Sequence, residues 1–310
     1  MEKTEFRIPY RDGSLHCILW EPDGEPLATL QIVHGMIEYA DRYDQTAKYF
    51  AERGFAVVAH DHPGHGRTAE SDDDLGYIPR DGGSELMAEC VHLVTEYAAE
   101  KYPGVPHFIL GHSMGSFITR RYLTKYGKEV DGAIIVGTGN QKRSTLAAAR
   151  AVTSIVSKFK GERYRSPLIT RLAFGSYNKR CGDDESRDAW ICSDRELMKV
   201  HDADKYATFM FTAAGYGVLF DTLTFLARKT DFENIPKELP ILVMAGTEDP
   251  VGAYGREPSA FAKQCTDAGI ADVVLKLYEG DRHEILNETD KEKVWEDLFV
   301  WLKAHMSASV

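Results

Sequence analysis

Six short, almost wholly apolar runs are spaced along the chain: Leu30 to Val33, Ala56 to Ala59, Phe108 to Leu110, Ala133 to Val136, Ile241 to Ala245 and Val273 to Tyr278. Apolar side chains at successive positions, and not only at alternate ones, describe strands covered on both faces. Helix-like stretches separate most of these runs, a pattern that implies a parallel sheet with right-handed crossovers and helices on both sides. The spacing predicts helices over Tyr43 to Arg53, Ser84 to Lys101 and Lys291 to His305. In the last of these, Val294, Trp295, Leu298, Trp301 and Leu302 share one face, so the chain closes by laying a helix on the sheet. Ahead of the first run, Glu5 to Pro9 and Leu15 to Trp20 flank Asp12-Gly13, a dipeptide suited to a tight hairpin turn.

One interval breaks the alternation. From about Asn140 to Ile235 the chain has no buried-strand run, and the stretch is too long for a structureless connection in a compact domain. It reads as a mainly helical cap inserted between the fifth and sixth parallel strands. The organisation expected is therefore core over 1–139, cap over 140–235 and core again over 236–310. With 310 residues, 43% hydrophobic and 27% charged, the chain can bury one sizeable core plus such an insertion.

Composition removes several function classes. No stretch approaches the roughly 18 apolar residues of a membrane span, and Met1-Glu2-Lys3-Thr4-Glu5 leads into no apolar export signal. Five scattered cysteines without a C-x-x-C pair argue against a disulfide framework or a zinc site and fit a reducing cytoplasm. A net charge of -11 argues against nucleic acid as a partner, since phosphate binding draws on positive charge. No residue pattern specifies an oligomeric state.

Gly111-His112-Ser113-Met114-Gly115 follows the run at Phe108 to Leu110 and precedes a helix-like run from Ser116. This is the strand, sharp turn and helix setting of a nucleophile elbow. A turn that tight leaves no room for Cβ atoms at Gly111 and Gly115. The pattern alone arises by chance in roughly one chain in ten of this length, so its surroundings must carry the argument.

Parallel sheets bind ligands beyond the carboxyl ends of their strands. The residues there include His34-Gly35-Met36, Asp61-His62-Pro63-Gly64-His65-Gly66, Thr247-Glu248-Asp249-Pro250 and Glu279-Gly280-Asp281-Arg282-His283-Glu284. A serine hydroxyl needs a base to take its proton, and the base needs an acceptor on its other nitrogen. Ser113, Asp249 and His283 stand in the Ser, Asp, His order of the α/β-hydrolase fold, with the backbone N–H groups of Met114 and Met36 as oxyanion donors. Asp249 alone could be a turn residue before Pro250, with Glu248 as its neighbouring competitor. His60, His62 and His65 form a cluster that lacks metal-ligand spacing and reads as a hydrogen-bonded loop.

Four motifs in order, His34-Gly35-Met36-Ile37-Glu38 with Arg42-Tyr43, Asp61 to Thr68, Gly111 to Gly115 and Tyr278 to Glu288, resemble the monoacylglycerol lipase and lysophospholipase family of α/β hydrolases. Arg165-Ser166-Pro167, Phe174 to Asn178 and Phe209 to Thr212 are similar to its bacterial lysophospholipase-like members. The resemblance implies a serine hydrolase acting on the fatty acyl ester of a single-chain lipid, without metal or organic cofactor, beneath a cap. Ile37, Ala40-Asp41 and Asp281 depart from the family pattern, which has glycine at the first of these positions and a small residue at the last.

Within the cap, Val152, Ile155, Val156 and Phe159 fall at helical spacing. Lys142, Arg143, Arg150, Lys158, Lys160, Arg163 and Arg165 crowd the same region, with only Glu162 opposing. A basic, amphipathic lip of this kind suits peripheral contact with a lipid surface; the simpler reading packs the same apolar residues onto the core. Two other functions use the same scaffold. A proline-iminopeptidase-type peptidase would need carboxylates to hold an amine, for which Asp183, Asp184, Glu185 and Asp188 are candidates. A ligand receptor without catalysis would leave the triad unused.

Overall fold

The computed structural model describes residues 1–11, 13–182 and 186–306. Asp12 of the expected hairpin turn, and Asp183, Asp184 and Glu185 of the acidic stretch, lie outside the described residues. The strands are β1 (Glu2–Tyr10), β2 (Gly13–Glu21), β3 (Ala28–Val33), β4 (Phe55–His60), β5 (His107–His112), β6 (Gly132–Val136), β7 (Ile241–Gly246) and β8 (Val273–Tyr278). The helices are α1 (Asp44–Ala51), α2 (Gly83–Lys101), α3 (Met114–Tyr126), α4 (Arg143–Lys160), α5 (Pro167–Phe174), α6 (Arg195–Ala203), α7 (Ala213–Leu226), α8 (Arg256–Asp267) and α9 (Lys291–Met306).

All eight strands form one sheet in the order β1-β2-β4-β3-β5-β6-β7-β8. The hairpin β1–β2 and the β2–β4 pair are antiparallel, and every pair from β4 to β8 is parallel. β3 to β7 are buried at every position, as their unbroken apolar runs require. β8 differs. It ends the sheet, and Leu275 and Leu277 stay 38% and 42% exposed on that edge, so the expectation of burial on both faces fails there for want of a further strand.

One apolar cluster lies between the sheet and α2, α3 and α7, and a second lies under α1 and α9. In α9 the predicted stripe of Val294, Trp295, Leu298, Trp301 and Leu302 is buried. The long interval separates β6 from β7. These are the fourth and fifth parallel strands and not the fifth and sixth, because the first two strands of the chain are antiparallel. Among its described residues the interval holds α4 to α7 and one isolated bridge, Arg165 with Thr212. No helix of the described residues is long and apolar enough to cross a membrane.

Candidate active site

β3, β5, β7 and β8 run in one direction, so the residues that follow them gather at one edge of the sheet. Ser113 occupies the turn between β5 and α3 with φ 51° and ψ -120°, a strained backbone for a side-chain-bearing residue. Its N–H donates to Val136 O at 3.0 Å. The flanking glycines are sterically required. A Cβ on Gly111 would lie 2.6 Å from Gly115 O, and one on Gly115 would lie 2.0 Å from Val33 O in the neighbouring strand. Gly35 has the same constraint, because its Cβ would come within 2.9 Å of Ser113 Cβ. That closeness sets Met36 beside the elbow, and Met36, Ser113, Met114 and His283 border one cavity.

Asp249 is fully buried, and its Oδ1 lies 2.9 Å from His283 Nδ1 while accepting the Val251 N–H at 2.8 Å. Glu248, its competitor, points outward beside Arg180 with 43% of its side chain exposed. Neither ring nitrogen of His283 has a hydrogen-bond partner of good geometry, so the 2.9 Å approach is one of distance and not of alignment. The imidazole lies over Gly137, where a Cβ would meet Cε1 at 3.0 Å, with the rings of His112 and Trp190 at centroid distances of 4.8 and 5.0 Å.

A charged network lies beneath these loops. Glu38 accepts from Gly35 N and approaches His112 Nδ1 at 2.8 Å, and Tyr43 donates to it at 3.2 Å. Arg42 contacts both oxygens of Glu284. Burial opposes each of these charges, but the partners outweigh it. Arg42 and His112 draw the Glu284 carboxyl down to about 2, Glu284 and Glu38 raise Arg42, and Glu38 raises His112. Three of the four motifs thus contribute a neighbour of a site residue: Glu38 near Met36, His112 before Ser113, Glu284 after His283. Among the residues that resemble the lipase family, Glu38, Arg42 and Glu284 were visible as motif members, but their convergence was not.

His62 and His65 lie in a hydrogen-bonded loop, whereas His60 ends β4 and neither of its ring nitrogens has a hydrogen-bond partner among the described residues. His62 N donates to His34 Nε2 at 3.0 Å, His62 Nε2 contacts His34 O at 3.0 Å, and His65 Nδ1 contacts Pro63 O at 3.1 Å. Burial pushes His60 and His65 down to about 4, and His34 and His62 well below the usual imidazole range. The departures from the family pattern are visible too. Ile37 adopts φ 58°, the left-handed region that favours glycine. Asp281 is buried with Oδ2 unpartnered, and burial together with the carboxylates of Asp290 and Glu288 raises its pKa to about 7.

The cavity has a volume of about 770 Å³, and its walls are largely hydrocarbon, including Leu146, Val152, Ile169, Phe174, Phe209 and Phe220. That size lies within the roughly 300–1,000 Å³ of pockets that enclose most of a small ligand. Among the described residues its carboxylates are Glu38, Glu284 and Asp188, the first two held in the network and the third beside Arg187 at 3.4 Å.

A mostly parallel sheet with a serine elbow at its carboxyl edge, and an acid and a histidine after the last two strands, is the α/β-hydrolase fold. Residues 24–290 match the Hydrolase_4 family, described as serine aminopeptidase, S33, and the chain belongs to that family. It is 28% identical to a monoacylglycerol lipase of Mycolicibacterium smegmatis over 93% of this chain and 92% of that one. It is 30% identical to a monoglyceride lipase homolog of Monkeypox virus, over 93% and 94% of the two chains. Among solved structures, a thermostable carboxyl esterase from Bacillus coagulans in complex with glycerol superposes with a TM-score of 0.91 at 28% identity, covering 99% of both chains.

Proposed function

We propose that this protein cleaves the carboxylic ester of a single-chain lipid, a monoacylglycerol or a lysophospholipid, through an acyl-enzyme on Ser113. That it is a carboxylic ester hydrolase follows from its relatives; the nucleophile is read from the site, and the single-chain lipid from the resemblance and from the relatives' names. The observation that supports the reading is that Ser113 and His283 border one apolar cavity while buried Asp249 lies 2.9 Å from the His283 ring. His283 takes the proton as the serine hydroxyl attacks the ester carbonyl, and Asp249 stabilises the imidazolium. The N–H groups of Met36 and Met114 hold the oxyanion. His283 then protonates the departing alcohol, and water, activated by the same histidine, releases the fatty acid.

Residues 140–235 form a helical cap over the acyl cavity, and 1–139 with 236–310 form the core. The apolar stripe of α4 divides. Val152 and Val156 pack against the apolar cluster to which α7 belongs, whereas Ile155 and Phe159 are 58% and 75% exposed, as are Leu168 and Leu172 on α5 at 57% and 68%. Part of the expected basic lip is already engaged by α7 and by residues 72–75, a correction to the count of Glu162 alone. Arg150 pairs with Asp221 and Arg163 with Asp74, and Arg165 donates to backbone carbonyls of 72–75. Lys158 and Lys160 remain beside the exposed apolar residues, a surface suited to peripheral contact with anionic lipid.

The peptidase reading lacks a described, unengaged carboxylate on the cavity wall to hold an amine. Ser113→Ala is expected to abolish hydrolysis of p-nitrophenyl and glycerol esters, and a fluorophosphonate probe to label the wild type at Ser113. Wild-type rates in Ser113→Ala, or faster turnover of an aminoacyl-naphthylamide than of a monoacylglycerol, would overturn the proposal. Failure of the probe to label would favour a receptor without catalysis.

A further inference from the structure

The cap does more than roof the cavity. Its segment from Ala189 to Ser193 runs beside the loop that carries His283 and bonds to it repeatedly. His283 N donates to Trp190 O at 3.4 Å, and Glu284 N donates to Ile191 O at 2.8 Å. Arg282 donates through Nη1 to Ala189 O at 2.6 Å and to Cys192 O at 3.1 Å. Glu288 accepts from Ser193 N at 2.9 Å and from Arg282 N at 3.0 Å, and the Ser193 hydroxyl donates to its other oxygen.

This lacing holds the Trp190 indole against the His283 imidazole, with centroids 5.0 Å apart. On its other sides the indole meets Tyr177 at 5.0 Å and stacks on Phe174 at 6.1 Å, and its backbone N–H donates to Asn178 Oδ1 at 3.0 Å. Because neither imidazole nitrogen is held by a well-aligned hydrogen bond, the ring takes its orientation from what packs on it. His112 and Gly137 supply two of those surfaces from the ends of β5 and β6. Trp190 supplies the third from the cap. A base that must reach both a serine hydroxyl and a leaving group tolerates little displacement, since a misplacement of about 1 Å can cost about 100-fold in rate.

We infer that Trp190 is a positioning residue of the triad: its indole, clamped through residues 189–193 by Arg282 and Glu288, sets the orientation of the His283 ring. The inference rests on the serine-hydrolase reading. It assigns residues 189–193 of the cap to the positioning of the catalytic base, with Phe174 at the end of α5 backing the indole.

The test uses the full chain and p-nitrophenyl acetate, whose acyl group is too short to fill the cavity. Trp190→Ala is expected to lower kcat about 10- to 100-fold with KM nearly unchanged, and to slow fluorophosphonate labelling of Ser113 in proportion. Trp190→Phe, which keeps a ring on the imidazole, restores most of the rate. Arg282→Lys gives an intermediate loss, and adding it to Trp190→Ala costs less than the two separate losses combined, because both act through one segment. Thermal melting checks folding, and if Trp190→Ala does not fold, Trp190→Leu carries the same expectation. Wild-type kcat in the folded variant, a loss confined to KM, or no rescue by phenylalanine would overturn the inference. If the wild type itself neither turns over esters nor labels, the serine-hydrolase reading falls instead.

Discussion

Arg42 and Glu284, 242 residues apart in sequence, meet with one guanidinium nitrogen 2.9 and 2.7 Å from the two carboxylate oxygens. Both side chains are nearly buried, at 11% and 7% exposure, so the pair joins the loop after β3 to the residue beside His283 in a poorly solvated place. Removing one partner strands the other. Glu284→Gln is expected to destabilise the protein by about 3–5 kcal/mol, read from urea unfolding at pH 7. Since the folded carboxyl is depressed to about 2, its contribution is present above the ordinary glutamate range near 4.5 and is lost as pH falls from there toward 2. The gap between variant and wild type therefore closes below about pH 4.5, and an unchanged urea midpoint at pH 7 would count against the pair.

Buried histidines set a second pH limit. His60, His65 and His107 are held down to about 4 by burial, and burial holds His34 and His62 well below the usual imidazole range. The unfolded chain takes up protons near pH 6.5 and the folded one does not, so stability is full above that value and falls as pH drops toward 4. Each such group contributes about 1.4 kcal/mol per pH unit across the window. Both ring nitrogens of His60 are buried without partners, so His60→Leu is expected to raise Tm at pH 5 and to flatten the dependence of Tm on pH. A lower Tm at pH 5 would refute this.

Asp281 has the opposite sign. Its folded carboxyl, raised to about 7, favours the protonated form, so the residue is harmless at pH 4 and costs stability as pH rises through 7. Asp281→Asn is expected to melt higher than wild type at pH 8 and with it at pH 4. Equal melting at both pH values would show that Asp281 carries no such penalty.

The exposed apolar residues on α4 can be tested at a lipid surface. Phe159→Ser, which removes a ring 75% exposed, is expected to weaken co-sedimentation with phosphatidylglycerol-containing vesicles by about tenfold, the order set by burying one aromatic side chain. Reversing Lys158 and Lys160 to glutamate is expected to weaken binding to those vesicles and leave pure phosphatidylcholine unaffected. Binding that is absent in the wild type, or indifferent to all three changes, would leave α4 as a packing element alone.

The parallel core was legible because its strands, buried on both faces, display unbroken apolar runs; Val273 to Tyr278 shows the limit, since an identical run at the sheet's edge leaves Leu275 and Leu277 in solvent. The elbow was legible because steric demand selects glycine at 111 and 115. Proximity between distant segments leaves no local trace. Nothing about Trp190 in the sequence foretells a ring on His283, and Arg150 and Arg163 gave no sign that Asp221 and Asp74 would meet them. His62 and His65 sit in a hydrogen-bonded loop as expected, but His60 ends β4, one residue beyond the apolar run from which that strand was read.

Ile37 borders the cavity next to Met36 with a β-branched residue at φ 58°, a conformation that costs such side chains about 1–2 kcal/mol. Its side chain packs against the main apolar cluster, which offsets part of that cost. A single position thus sets loop tension and pocket width together. An engineer who swaps it for glycine relaxes the turn and widens the mouth in one step, which makes residue 37 the natural place to broaden the range of esters this scaffold admits.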